Sequence, residues 1–175
     1  MYPVLRLGLE LALLRRLPPL PVDAVHVSHH ICWPWDIDPW MELNNGRTLT
    51  LYDLGRVPLA IRTGLVRTLK AEGWGLTVAG SSIRFRRRVR AFDRIEMRSG
   101  FVGHDARFLY VSQAMFRDGE ALSNALIRGA VTSADGIVPT DRLLAAMGVE
   151  WDSPLPHWVA AWAEAEGRRP WPPQI

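Results

Sequence analysis

The strongest constraint on the fold of this chain is a change of period. Between Asn44 and Glu72 the pattern is helical: Leu49, Tyr52, Asp53, Arg56 and Leu59 recur three and four residues apart. Pro58 is expected to kink or split that segment, and the second run, Leu59 to Glu72, to end at Gly73. From Ile83 onward the period is two. Ile83, Phe85 and Val89 alternate with arginines, and Ile95, Met97, Ser99 and Phe101 continue the alternation. Turn signals stand at Asp93-Arg94, Gly103-His104-Asp105, Asp118-Gly119 and Asp135-Gly136. Phe108 to Phe116 is apolar on both faces, which predicts a covered, central strand. An earlier strand, Ala24 to Trp33, precedes a long loop whose prolines, Pro34 and Pro39, argue against regular structure there. Four strands joined by short turns form an antiparallel meander, and the helix before them can bury its apolar side only by lying on that sheet. The expectation is an α+β fold, an antiparallel sheet of about five strands wrapped around a central helix.

A chain of 175 residues suits one such domain. We divide it into an amphipathic segment with a Pro-rich connection (1–22), the sheet-and-helix domain (23–140), and a C-terminal helix and tail (141–175), where Trp158 and Trp162, four apart, suggest a docked helix. Met1 to Leu17 is apolar but holds Arg6 and Glu10 and ends on Arg15-Arg16. It is too short to span a bilayer, and its charge lies on the wrong side for a secretory signal. Packing on the domain or on a partner is the expected role, with peripheral contact to a membrane the alternative. Cys32 stands alone, which rules out an intrachain disulfide and a cysteine zinc cluster and fits a reducing cytoplasm. His26, His29 and His30 are read as buried or interface residues rather than metal ligands, so no metal is expected. The formal net charge is +3, carried by arginine apart from Lys70, and leaves room for an anionic ligand as well as for an ordinary solvated surface.

The sequence has no Gly-x-Ser-x-Gly, no phosphate-binding glycine loop and no Gly-x-Gly-x-x-Gly after a strand. The stretch Asp36 to Asn45 instead places two aspartates, a glutamate and two asparagines directly before a helix start. A helix N-terminus offers unpaired N–H groups to a carbonyl oxygen gaining negative charge, and a neighbouring carboxylate can attack or activate water. A capped helix with a polar entry loop would read the same way.

The run Asp36-Ile37-Asp38-Pro39-Trp40-Met41-Glu42-Leu43-Asn44-Asn45 resembles the Asp-x-Asp-x-x-Gly-His-Val-Asn-Asn motif of hotdog thioesterases of the 4-hydroxybenzoyl-CoA thioesterase type. With Tyr52-Asp53-Leu54-Gly55-Arg56 it is closest to the branch of thioesterase superfamily member 6-like proteins, and the likeness covers roughly Ala24 to Pro139. The resemblance implies a hotdog fold, hydrolysis of an acyl thioester on coenzyme A or a carrier protein, and a homodimer or dimer of dimers. No cofactor is implied apart from the coenzyme A of the substrate. It makes Asp38 the catalytic carboxylate, gives the oxyanion to N–H groups near Asn45 and Gly46, and has Asn44 orient the loop or the water. Asp53 is a further polar contributor or, more simply, the partner of Arg56. Two positions depart from the motif: Met41 stands for the glycine and Glu42 for the histidine. Glu42 could supply the base itself, or mark a non-catalytic acyl or lipid binder; a dehydratase or hydratase on the same scaffold is the weaker alternative. Arg84, Arg86, Arg88 and Arg90, on one strand face about 6.6 to 7 Å apart, are the expected contacts to the coenzyme A phosphates, with nucleic acid disfavoured because no aromatic platform interleaves with them.

Overall fold

A computed structural model describes residues 3–173. In chain order the elements are α1 (Val4–Leu14), β1 (His26–Ile31), α2 (Asn45–Arg62), α3 (Leu65–Glu72), β2 (Gly75–Phe85), β3 (Arg94–His104), β4 (Leu109–Arg117), β5 (Glu120–Ser133), β6 (Gly136–Ile137), α4 (Thr140–Met147) and α5 (His157–Arg168). All strand pairs are antiparallel. The sheet runs β1-β3-β4-β5-β2, and the two residues of β6 fold back onto β5.

Only β3, β4 and β5 form the meander. The chain leaves β2 at one edge and crosses to β3 on the other side of the centre, so β2 pairs with β5 and not with its successor in sequence. The β4–β5 hairpin closes through Asp118 and Gly119, both at positive φ (51° and 82°), as a two-residue turn of matching twist requires. β2 begins eight residues before Ile83, because Gly75 to Ser82 pairs with β5 although its large apolar side chains, Leu76 and Val78, stay exposed.

The central helix α2 lies on the sheet. Leu51, Tyr52, Leu54 and Leu59 are buried with Ile95, Met97, Met115, Leu122 and Ile127. Gly55 sets the approach: a Cβ there would fall 2.4 Å from the Ser99 hydroxyl and 2.7 Å from the Met97 sulfur. Pro58 neither splits nor ends the helix. It sits inside α2, and the break comes at Gly64, φ 85°, with Gly73, φ 68°, ending α3. A buried proline whose fixed φ suits the helix forgoes one hydrogen bond, whereas a left-handed residue turns the chain away.

At its Tyr110 end the other face of β4 is covered by α5. Tyr110 and Leu126 pack with Val159, and the Tyr110 and Trp162 rings meet edge to face at 6.5 Å. On that face only Tyr110 is buried, while Ser112, Ala114 and Phe116 stay half-buried, so α5 covers one end of β4.

Candidate active site

The entry to α2 is more ordered than its prolines suggested. Pro34–Asp36 makes one 3-10 turn, and Ile37 and Leu43 then pair across a small hairpin. The Asp38 N–H donates to the Glu42 carbonyl (2.8 Å) and the Met41 N–H to the Asp38 carbonyl (3.0 Å). Pro39-Trp40-Met41 is thus a three-residue loop in which the third residue must be left-handed. Met41 holds φ 60°, in the place where the resembled motif has glycine. The backbone requirement is met here by a residue that strains to meet it.

The two motif aspartates do different work. Asp36 is fully buried, accepting from Arg6 of α1 (2.6 Å), from Arg47 of α2 (2.7 Å) and from the Trp33 N–H (3.0 Å). Burial alone would raise its carboxyl, but the hydrogen bonds from Arg47, Arg6 and Trp33 outweigh that and hold it below the ordinary value. Asp38 is half-buried. Its Oδ1 accepts from the N–H groups of Trp40 (2.9 Å) and Glu42 (3.4 Å), while Oδ2 has no hydrogen-bond partner among the described residues. Asp38 and Glu42 face each other across the hairpin, so their side chains leave it on the same side.

Beside this hairpin lies a groove of about 230 Å³. Glu42, Leu43, Asn45 and Thr48 form one wall, Phe85 to Val89 the other, and Ser123 the floor, while Asp38 stands beside the groove and is not one of its lining residues. The Arg88 guanidinium pairs with Glu42 at 3.0 Å, and the Leu43 N–H bonds the Val89 carbonyl at 2.8 Å, tying the two walls together. On the floor side, the Ser123 hydroxyl lies 2.8 Å from the buried Tyr52 hydroxyl, whose pKa burial pushes up to about 12.

The helix N-terminus is partly spoken for. Asn44 is the N-cap, and its Oδ1 accepts from the N–H groups of Gly46 (2.9 Å) and Arg47 (3.1 Å). The Gly46 N–H expected to meet an oxyanion is therefore occupied by the cap. Asn45 lines the groove, and its N–H has no acceptor among the described residues. Asp53, about two turns further along, pairs with Arg56, which also donates to Gln113 at 3.0 Å; Gln113 in turn donates to the Tyr52 carbonyl and the Ser99 hydroxyl, both at 2.8 Å. This polar seam joins α2 to the sheet some way from the groove.

The arginines do not share a strand face. Leu122 O takes the N–H groups of both Arg86 and Arg87, a bulge that ends β2 at Phe85 and turns the chain away. Arg86, Arg87 and Arg88 then border the groove, with Arg87 held by Glu120 at 2.6 Å. Arg84 lies apart, beside Trp158 and Trp162 of α5, and Arg90 belongs to a turn in which its N–H bonds Asp93. Arg6, Arg47 and Ser123 were not singled out by sequence. Arg47 directly follows the motif, the one local signal available; Arg6 and Ser123 arrive through tertiary contacts alone. Among the described residues no group of histidine, cysteine and carboxylate side chains could hold a metal ion.

A curled antiparallel sheet around one long helix, with a polar hairpin at that helix's N-terminus, defines the hotdog class. Residues 32–163 match the family described as the thioesterase-like superfamily, and the chain belongs to it. By family and fold it is a hydrolase of the thioesterase type. It is 25% identical over 162 residues to protein THEM6 of Xenopus laevis, covering 87% of this chain and 76% of that one. Among solved structures it is similar to the probable thioesterase YbaW of Escherichia coli (TM-score 0.65, 16% identity, 69% of this chain and 95% of that one). It is also similar to a 1,4-dihydroxy-2-naphthoyl-CoA thioesterase of Synechocystis (TM-score 0.62, 12% identity, 75% and 100%).

Proposed function

We propose that this chain hydrolyses an acyl-CoA or acyl-carrier-protein thioester at the groove beside the Asp38–Glu42 hairpin, with Asp38 as the general base. The observation that carries this reading is the Asp38 carboxylate itself. One oxygen is fixed by two backbone N–H groups and the other is free, so the group is held in place while keeping a basic atom for water. Glu42, neutralised by Arg88, is the less available base, and the pair shapes the groove wall. The Asn45 N–H is the donor left for the thioester oxygen at the positive end of α2. Arg86 and Arg88, on the same rim, suit the coenzyme A phosphates.

We further infer a homodimer, on a different ground from the central strand. β2 is an edge strand of eleven residues with Leu76, Val78 and Phe85 exposed along it. A long apolar edge is normally paired or blocked, and a second copy of β2 would pair it.

Thiol release from a panel of acyl-CoAs tests the reading. Asp38→Asn should lower kcat about a hundredfold or more, with Glu42→Gln well above that floor. Arg86→Ala or Arg88→Ala should raise KM more than it lowers kcat, and Arg84→Ala should do neither. If Glu42→Gln abolishes turnover while Asp38→Asn does not, the base is Glu42. If the wild type releases no thiol yet carries a co-purified acyl ligand, the chain is a binder.

A further inference from the structure

Helix α1 is built inside out. Its two charged residues face the protein: Arg6 donates to Asp36 at 2.6 Å, and Glu10 lies 3.6 Å from the ring of buried His30. Leu14 and the partly buried Leu7 pack inward beside them. The outward face is Val4, Leu5, Gly8, Leu9, Ala12 and Leu13, all exposed and continued by Leu17. Leu5 is 91% exposed. A helix packed on a soluble domain ordinarily shows the reverse arrangement. Lone exposed leucines need no explanation, but a continuous stripe of them does.

The chemistry around the stripe says what covers it. No carboxylate points outward along it, since Glu10 is turned in, and Arg15 and Arg16 stand exposed at its end. Trp35, 68% exposed, lies beside α1 with the Arg6 guanidinium 6.0 Å from its ring centre, and it stacks on Trp33 at 5.2 Å. Leucines facing out, an amphipathic ring at the rim and a pair of arginines are the composition of a helix lying in a bilayer interface. A second copy of the same face would offer Arg15 and Arg16 no carboxylate, whereas lipid phosphate pairs with both. Among the described residues no helix is long and apolar enough to cross a membrane.

We propose that α1 docks flat on an anionic membrane surface, with Leu5, Leu9, Leu13 and Leu17 entering the boundary between headgroups and acyl chains and Arg15 and Arg16 on lipid phosphates. The inward contacts of Arg6 and Glu10 fix the roll of the helix, so the apolar side is presented before any lipid is met. This docking does not depend on which carboxylate performs the reaction.

The test is co-sedimentation of the full chain with vesicles of phosphatidylcholine, alone and with phosphatidylglycerol added. Retention on the mixed vesicles is expected to exceed that on phosphatidylcholine alone and to fall as salt is raised. The double variant Leu5→Glu with Leu9→Glu should bind the mixed vesicles about tenfold or more weakly, with an unchanged denaturation midpoint showing that it remains folded. Arg15→Glu with Arg16→Glu should remove the preference for anionic lipid. The proposal is overturned if the wild type is retained by neither vesicle, or if the leucine variant is retained as well as the wild type. It is equally overturned if that variant loses mass by light scattering while the wild type ignores vesicles, since the face would then join two copies.

Discussion

The two sides of helix α2 are held by different physics. Where α2 meets the meander, Leu51, Leu54 and Leu59 close on Ile95, Met97 and Met115, with Gly55 removing the side chain that would hold helix and strand apart. Where α2 meets α1 and β1, the buried groups are Asp36, His26 and His30, with the half-buried guanidinium groups of Arg6, Arg47 and Arg62 against them. The inward face of β1 is His26, Ser28 and His30, while Val27, and Val25 just before the strand, are exposed. The first region follows the apolar-inside rule and the second inverts it. The inverted layer depends on its pairing, because a buried charge is tolerated only while its partners remain, and Arg6 Nη1 and His26 Nε2 already lie buried there without a hydrogen-bond partner among the described residues. It also adjoins the candidate site, since Asp36 lies two residues from Asp38.

The largest effect should come from removing the central carboxylate of that layer. Asp36→Ala leaves the two guanidinium groups of Arg6 and Arg47 facing each other without their shared partner, and frees the Trp33 N–H. Breaking a buried pair in this way costs about 3 to 5 kcal/mol, read as a shift in the urea midpoint at constant slope. A loss under about 1 kcal/mol, the range of an exposed pair, would erase the distinction between the two regions.

Acid should find the same layer next. Burial first, and then Arg6, push His30 down to about 4; burial and Arg62 do the same to His26. In the unfolded chain both titrate near the ordinary value of about 6.5. Between those values the unfolded state binds the protons, so their contribution is whole above about 6.5 and is lost as pH falls towards 4. For His30 alone the loss approaches about 3 kcal/mol. Asp36, held low, adds its own loss at still lower pH, while Glu10, raised by burial, is relieved on protonation and partly offsets both. Stability of the wild type followed from pH 7 to about 4 should fall, and His30→Asn should flatten the curve. An unchanged slope in that variant would place the acid sensitivity elsewhere.

The contrast also explains what the sequence made legible. Period reads apolar burial well, so β3, β4, β5 and the start of α2 at Asn45 follow from alternation, turn residues and an N-cap. It fails where burial is polar or the strand is an edge. In Gly75 to Ser82 the apolar alternation stops after Leu76 and Val78, both exposed, and pairing with β5 carries the strand on through Gly80, Ser81 and Ser82. The four arginines kept their alternation through residue 90, but the bulge at Leu122 is a tertiary event without a mark of its own in the local pattern. At the site, the chemistry of the Asp36–Asn45 stretch was legible as a set of residue types. The assignment of Asp36 to a buried lock needed Arg6, thirty residues away in sequence, and the loss of the Gly46 N–H to Asn44 needed the cap geometry.

The smallest effect is the sharpest check on the inversion, because it predicts almost nothing where hydrophobic residues usually matter. Leu9 of α1 and Val27 of β1 look like core residues by type and both lie exposed. Leu9→Ser and Val27→Thr should each leave the denaturation midpoint within about 0.5 kcal/mol of the wild type, as for surface positions generally. Leu51→Ala, on the apolar side of the same sandwich, removes a fully buried side chain and should cost about 2 to 5 kcal/mol. The ratio between these losses measures how one-sided the apolar core is. A loss at Leu9 comparable to that at Leu51 would mean that the outer face of α1 is covered in the lipid-free protein. Dilution then tells what covers it: a loss that shrinks as protein concentration falls belongs to a contact between copies, and one that does not belongs to the chain itself.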